Sequence, residues 1–98
     1  MLLFDWDHNK AIDNVRKHRI SFQQAKTIWQ GPTFTEVDDR QDYGETRFNT
    51  LGMVPNTLTV LHVTHTEDEE NADIIHLISA RPATKSERER YYASQSQR

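Results

Sequence analysis

The chain has 98 residues, the size of one domain built round a single core. Only 35% of them are hydrophobic and 28% are charged, so that core is small, yet four Phe, two Trp and three Tyr supply the bulk of a folded rather than a disordered domain. The formal net charge of −3 argues against a uniformly basic nucleic-acid binder.

Without cysteine there is neither a disulfide framework nor a thiolate metal site. No run approaches the roughly 20 apolar residues of a membrane helix. The opening Met1-Leu2-Leu3-Phe4-Asp5 meets an acid too soon for a secretory signal, so a soluble cytoplasmic protein with no membrane partner is expected. The charge is unevenly spread. Residues 8–30 carry five cations against Asp13, a balance of +4, and residues 74–98 carry five against Glu87 and Glu89, a balance of +3. Between them, residues 31–73 hold ten acids and two arginines, or −8. If the two basic ends meet in space they form a positive field that the total conceals.

In chain order, Leu2–Trp6 reads as a first strand. Asp7 then caps a helix reaching about Arg16–Arg19, with Ala11, Ile12 and Val15 as its apolar stripe and Lys10, Asp13, Asn14 and Lys17 on other faces. Lys17 and His18 fall in its last turn, where positive charge suits the helix dipole. Ser21 with Gln24 is a capping box for a short second helix whose core face is Phe22, Ala25, Ile28 and Trp29, and Gly31-Pro32 ends it. Strand grammar follows at Thr33–Val37 and Thr46–Val54, separated by a polar loop. A turn at Pro55-Asn56 leads to a strand over 57–66, in which Leu58–Val63 is apolar on both faces and therefore central. After the acidic loop Glu67–Ala72, residues 73–80 form the last strand. Thr84 with Glu87 is a second capping box, opening a helix to about Ala93, and residues 94–98 read as a frayed polar tail after a single domain of residues 1–93. The order β-α-α-β-β-β-β-α, with short links between strands, predicts an α+β fold: an antiparallel sheet with helices collected against one face.

Five histidines raise the question of zinc. His62 and His65 are three apart in a strand and point to opposite faces, and His62 with His76 would make only two ligands, so no metal site and no cofactor is expected. Ser79 lacks a nucleophile elbow, and Gly31, Gly44 and Gly52 are scattered singles rather than a phosphate cradle. What remains is metal-free phosphodiester chemistry, in which the 2′-hydroxyl of RNA attacks its own phosphate. Arginine suits the phosphate, because its planar fork is bidentate and permanently charged. Glu or His can move the protons, and aromatic rings can stack a base. The candidates are Glu45 and Arg47, which share a face of one strand; His76 and Arg81 on the last strand; Lys17 and His18; and Arg88, Tyr91 and Tyr92 on the final helix. His76 and Arg81 are an odd number of positions apart, so a regular strand sends them to opposite faces. Each of these residues except Arg81 reads more readily as a structural or solvated group when taken alone.

Taken in order, the residues resemble the BrnT toxins of bacterial type II toxin–antitoxin systems. The matching pieces are Trp6-Asp7, Lys10, Asn14, Lys17-His18, Ile20-Ser21-Phe22 and Ala25; then Gly44-Glu45, Arg47-Phe48, Leu51-Gly52 and His65-Thr66; then Ile78-Ser79-Ala80-Arg81, Ala83-Thr84, Glu87-Arg88 and Tyr91-Tyr92. The resemblance spans about residues 4–92. It implies a RelE-like fold and an RNA-cleaving toxin that halts translation. It also implies a BrnA-like, DNA-binding ribbon-helix-helix antitoxin in a hetero-oligomer, with operator DNA reached only through that partner. Three positions depart from the family pattern. Arg19 stands where a glycine usually closes the first helix, His76 where an arginine is common, and Thr46 where a second glutamate is frequent.

Two functions therefore compete. In the first, a metal-independent endoribonuclease, Arg47 and Arg81 hold the phosphate, Glu45 or His76 moves protons, and Lys17 and His18 line the RNA groove with Arg88, Tyr91 and Tyr92. In the second, a catalytically weak or inactive module of the same fold binds RNA or the antitoxin. A repressor acting alone is disfavoured by the acidic balance and the lack of a recognition helix.

Overall fold

The computed structural model describes residues 1–40 and 42–96. Five strands form one sheet: β1 (Leu3–Trp6), β2 (Thr33–Asp38), β3 (Arg47–Met53), β4 (Val60–Glu67) and β5 (Ile74–Pro82). Three α-helices join them, α1 (His8–His18), α2 (Phe22–Ala25) and α3 (Lys85–Ser96), with a 3-10 turn at Lys26–Gln30. The predicted element order is present. The sheet order is β1-β5-β4-β3-β2, so β4 is central as expected. No described helix is long and apolar enough to cross a membrane.

The sheet is mixed rather than wholly antiparallel. β1 lies parallel to β5, Leu3 opposite Ile74 and Trp6 opposite Leu77, whereas the other three pairings are antiparallel. A first strand that feeds straight into a helix cannot make a hairpin with its successor, so it completes the free edge of the last strand instead.

Nor do the helices share one face. Phe22, Ala25 and Ile28 pack with Leu61, Val63, Ile75, Leu77 and Ala80 on one side. Tyr91 and Ala83 pack with Leu51 and Val60 on the other. Gly52 marks the first side, because a Cβ there would stand 2.8 Å from the Ile28 Cβ. Its neighbour Leu51 points the opposite way, toward α3. The two basic segments thus sit on opposite faces and do not merge.

Helix α1 is rotated from its expected orientation. Asp7 caps it as predicted, its side chain accepting from the Lys10 N–H at 3.0 Å. Ile12 and Val15, however, are each 45% exposed, while Asn14 is 4% exposed. The Asn14 amide donates to the carbonyls of Ile20 and Ala80, each at 2.8 Å, and accepts from the Ala80 N–H at 2.9 Å. Ala11 still packs against the core, but a buried amide making three backbone hydrogen bonds turns the helix so that Ile12 and Val15 face outward. Arg19 closes the helix in the left-handed region, φ 61°, with its N–H on the Val15 carbonyl, a conformation that costs a non-glycine residue about 1–2 kcal/mol.

Leu58 is another departure: residues 57–59 belong to the turn and Leu58 is 86% exposed, not central. Helix α3 runs on to Ser96, past the expected end at Ala93, with the Ser94 and Ser96 hydroxyls bonding back to the carbonyls of Tyr91 and Ala93. The last two residues of the expected tail lie outside the described residues.

In β5 the register jumps. Thr64 pairs with Ser79 but His65 with Leu77, so Ile78 is an extra residue. This bulge puts Leu77 and Ala80 on the same core face. It also returns Arg81 to the face occupied by His76, which a regular strand would forbid. The bulge overturns the expectation that the two point opposite ways.

Candidate functional site: an acid–base cleft on the open face of the sheet

The face toward α3 is only partly covered, because one 12-residue helix cannot shield five strands. Cross-strand pairing arranges its polar residues in rows. Asp38 lies opposite Arg47, Thr66 opposite His76, and His76 opposite Asp5. One turn of the pleat away, Glu36, Asn49, Thr64 and Ser79 form a second row. Leu51, His62 and Arg81 form a third.

The first row opens into a cleft of about 600 Å³ lined by Glu45, Thr66, Asp68 and His76, among others. The imidazole is clasped by two carboxylates: Nε2 lies 3.1 Å from Asp68 Oδ1 and Nδ1 3.5 Å from Asp5 Oδ2. The hydrogen bond with His76, followed by the N–H groups of Glu70 and Asn71, holds the Asp68 carboxyl below its ordinary range. Both carboxylates owe their position to topology, Asp5 to the parallel edge strand and Asp68 to the loop that folds back over β5. Across the cleft, Glu45 Oε1 accepts from Nε and Nη2 of Arg47, each at 3.3 Å, and the guanidinium lies 4.1 Å from the centre of the Tyr43 ring. Lys10, in the first turn of α1, borders the same groove beside Asp5 and His76.

Glu45 and His76 therefore line one cleft, Arg47 is joined to them through its bond to Glu45, and Arg81 is not. Arg81 sits roughly 13 Å further along β5 at about 3.3 Å per residue. Its fork is engaged by Glu87, with Nη1 2.7 Å from Oε1 and Nη2 2.9 Å from Oε2. The same carboxylate accepts from the Thr84 N–H at 2.8 Å, while the Glu87 N–H donates to Thr84 Oγ1 at 3.2 Å, which completes the predicted capping box. The Arg81 fork, followed by the Thr84 N–H, holds the Glu87 carboxyl down to about 2 against the opposition of burial. Arg81 thus ties the last strand to the last helix instead of presenting a free guanidinium.

The other expected binding residues scatter. Lys17 and His18 lie at the far end of α1, on the opposite side of the sheet and about 10 Å along the helix from Lys10. Tyr91 is 4% exposed, its hydroxyl donating to the Pro32 carbonyl at 3.0 Å, so it belongs to the core rather than the groove. Tyr92 is exposed, in edge-on contact with Tyr91. Arg88 turns back to the Ala83 carbonyl. Asp5, Asp68, Thr66 and Lys10 were not singled out as site residues from the sequence. The only signal for them was their distance in space from His76, which the chain order hides.

Two other histidines are buried and separate from this cleft. Burial, with Arg81 nearby, pushes the His62 imidazole down. Burial alone takes His65 to about 4; its Nε2 meets Thr50 Oγ1 at 2.7 Å, between the rings of Trp29 and Phe48. Among the described residues no three His, Asp or Glu side chains are grouped to ligate a metal ion.

Fold and cleft together define a small α+β protein that carries carboxylates, an imidazole and an arginine on a solvent-open sheet face. A family model described as the ribonuclease toxin BrnT of a type II toxin–antitoxin system matches residues 6–87. The chain belongs to the BrnT family of ribonuclease toxins, and a type II system entails an antitoxin partner. The 1.1 Å crystal structure of the Brucella abortus ribonuclease toxin BrnT is similar, with a TM-score of 0.61 at 20% identity over 87% of this chain and all of that one, a likeness of fold. No curated protein matches the sequence.

Proposed function

We propose that the chain cleaves RNA by metal-independent attack of a 2′-hydroxyl, in the cleft shared by Glu45, Arg47 and His76. The observation that carries this reading is that a carboxylate, Glu45, and an imidazole, His76, line one open cleft of about 600 Å³, with the Arg47 guanidinium bonded to that carboxylate at 3.3 Å. Glu45 takes the proton from the attacking hydroxyl. Arg47, released from Glu45 as that residue turns to the hydroxyl, neutralises the phosphate. His76, oriented by Asp5 and Asp68, returns a proton to the leaving oxygen. Arg81 holds α3 in place and is not in this reading a phosphate ligand; Lys17 and His18 lie outside the groove. The fold is read as RelE-like and the protein as cytoplasmic. The partner is a BrnA-like antitoxin, itself the DNA-binding member of a hetero-oligomer.

The test is cleavage of RNA by the purified protein in EDTA, with product ends analysed for a 2′,3′-cyclic phosphate. His76→Ala should lower the rate about 10²–10⁴-fold at unchanged stability. Intact RNA at high protein concentration, or a fully active His76→Ala, refutes the assignment.

One observation favours a second reading, a weak or inactive module that binds RNA or the antitoxin. The groove's carboxylates, Asp5, Glu45, Glu67, Asp68 and Glu69, outnumber Arg47 and Lys10 and repel a polyanion. Growth arrest on expression without the antitoxin decides between the two.

A further inference from the structure

Beside the acid–base cleft, the second and third rows of the sheet face enclose another cleft of about 250 Å³, roofed by the start of α3. Its size is just below the roughly 300–1,000 Å³ of small-molecule sites, which suits one planar ring system rather than an extended ligand. The floor is Leu51 beside His62, with Arg81 alongside on the next strand. His62 is 8% exposed, with Nε2 3.6 Å from Glu87 Oε2, and burial pushes its imidazole down, so it shows the cleft an uncharged ring edge.

Most polar groups here are already spent on one another. Arg81 holds Glu87, Arg90 reaches Glu36 at 2.6 Å, and Arg40 grips Asp38 through Nε at 2.8 Å. Two groups keep spare capacity among the described residues. Asn49 uses its Oδ1 to accept from Thr64 at 2.8 Å and leaves its NH₂ without a protein acceptor. The Asp39 carboxylate, which lines the same cleft, makes no ion pair or side-chain hydrogen bond. A carboxylate acceptor on one wall and an amide donor on another, with an apolar–imidazole floor between them, form a complementary pair.

We infer that this cleft is a nucleobase subsite and that its chemistry selects guanine. Guanine alone combines an edge with two adjacent donors, N1–H and N2–H₂, suited to the Asp39 carboxylate, with the O6 and N7 acceptors suited to Asn49. Adenine lacks the N1 donor, and pyrimidines present a single donor group on the matching edge. Splayed single-stranded bases lying on a sheet face are the usual way RNA sequence is read. The inference rests on the proposed RNA-binding role of this face and adds the base that lies beside the scissile phosphate.

The experiment titrates the full-length protein with GMP, AMP, CMP and UMP while following the Asn49 side-chain amide and the His62 ring by NMR. GMP should shift both signals at about tenfold lower concentration than the other three, the discrimination of one bidentate base contact. Asp39→Asn should abolish that preference while leaving the melting temperature unchanged, and Asn49→Ala should abolish it with a lower melting temperature, because the buried Thr64 hydroxyl loses its acceptor. Equal responses to all four nucleotides, or none at millimolar GMP, overturn the inference. Mapping cleavage sites separates the two readings. RNA cut without preference for guanine beside the break, together with a silent GMP titration, removes the subsite and leaves the ribonuclease. Selective GMP shifts in a protein that cuts no RNA support the subsite and remove the nuclease assignment.

Discussion

Replacing Glu87 with glutamine removes one charge from the junction of β5 and α3 without changing its size. Glutamine still accepts from the Thr84 N–H, so the capping box survives while the ion pair to Arg81 and the 3.6 Å contact with His62 Nε2 lose the charge. The Glu87 carboxyl is held at about 2 against an ordinary value of 4.5, and a shift of that size is worth about 3 kcal/mol. The Arg81 side chain is 34% exposed, and solvent screening reduces the figure to about 2 kcal/mol. At pH 7, Glu87→Gln should therefore cost about 2 kcal/mol in urea unfolding followed by tryptophan fluorescence, or about 8–16 °C in melting temperature for a domain of this length. The folded value lies below the unfolded one, so the stabilisation is whole above about pH 4.5 and drains away as pH falls toward 2. The variant should lack that acid leg. A cost below about 0.5 kcal/mol, within the noise of ordinary surface changes, or an identical acid leg in both proteins, refutes the reasoning.

Other substitutions probe the remaining supports. Asn14→Ala strands three backbone groups at about 1–3 kcal/mol each before relaxation, so equilibrium unfolding should show a loss of at least about 3 kcal/mol. Arg19→Gly relieves the left-handed residue and should raise stability by about 0.5–1 kcal/mol; a lower melting temperature contradicts that account. His65 is depressed from 6.5 to about 4, so the wild type should lose up to about 3 kcal/mol as pH falls across that interval, above the window assigned to Glu87, and a His65→Phe variant should be flat there. Gly52→Ala drives a methyl group into Ile28 and should destabilise by about 1–3 kcal/mol, measured by the same urea titration.

Local grammar was legible where it needs only a few neighbouring residues. Ser21 with Gln24 and Thr84 with Glu87 each announced a helix start, and the Ser21 hydroxyl accepts the Gln24 N–H at 3.0 Å as the pattern requires. Glu45 and Arg47 were legible as partners by their spacing, although β3 begins only at Arg47 and Glu45 lies in the bend before it. What stayed hidden depends on distant chain. Asn14 gave no sign of being buried, since its acceptors lie at Ile20 and Ala80 and a polar residue in a helix ordinarily faces water. The bulge at Ile78 left no glycine or proline to mark it, so the parity argument for His76 and Arg81 failed. Tyr91 and Tyr92 looked equivalent, and it is the distant Leu51, Val60 and Pro32 that make one of them core. For the same reason the carboxylates that clasp His76 could not be read in advance.

The pairing of β1 with β5 has a consequence for how the protein comes into being. Leu3 waits for Ile74, 71 positions later, and Asn14 waits for Ala80, 66 positions later. Contacts of such long separation close last and slowly, because the loop entropy must be met before they return anything. The first third of the chain therefore leaves the ribosome without the partners that hold it, and Asp5 cannot reach His76 until translation is nearly complete. A molecule of a family that acts on RNA is in this way assembled only after its own messenger has been read almost to the end.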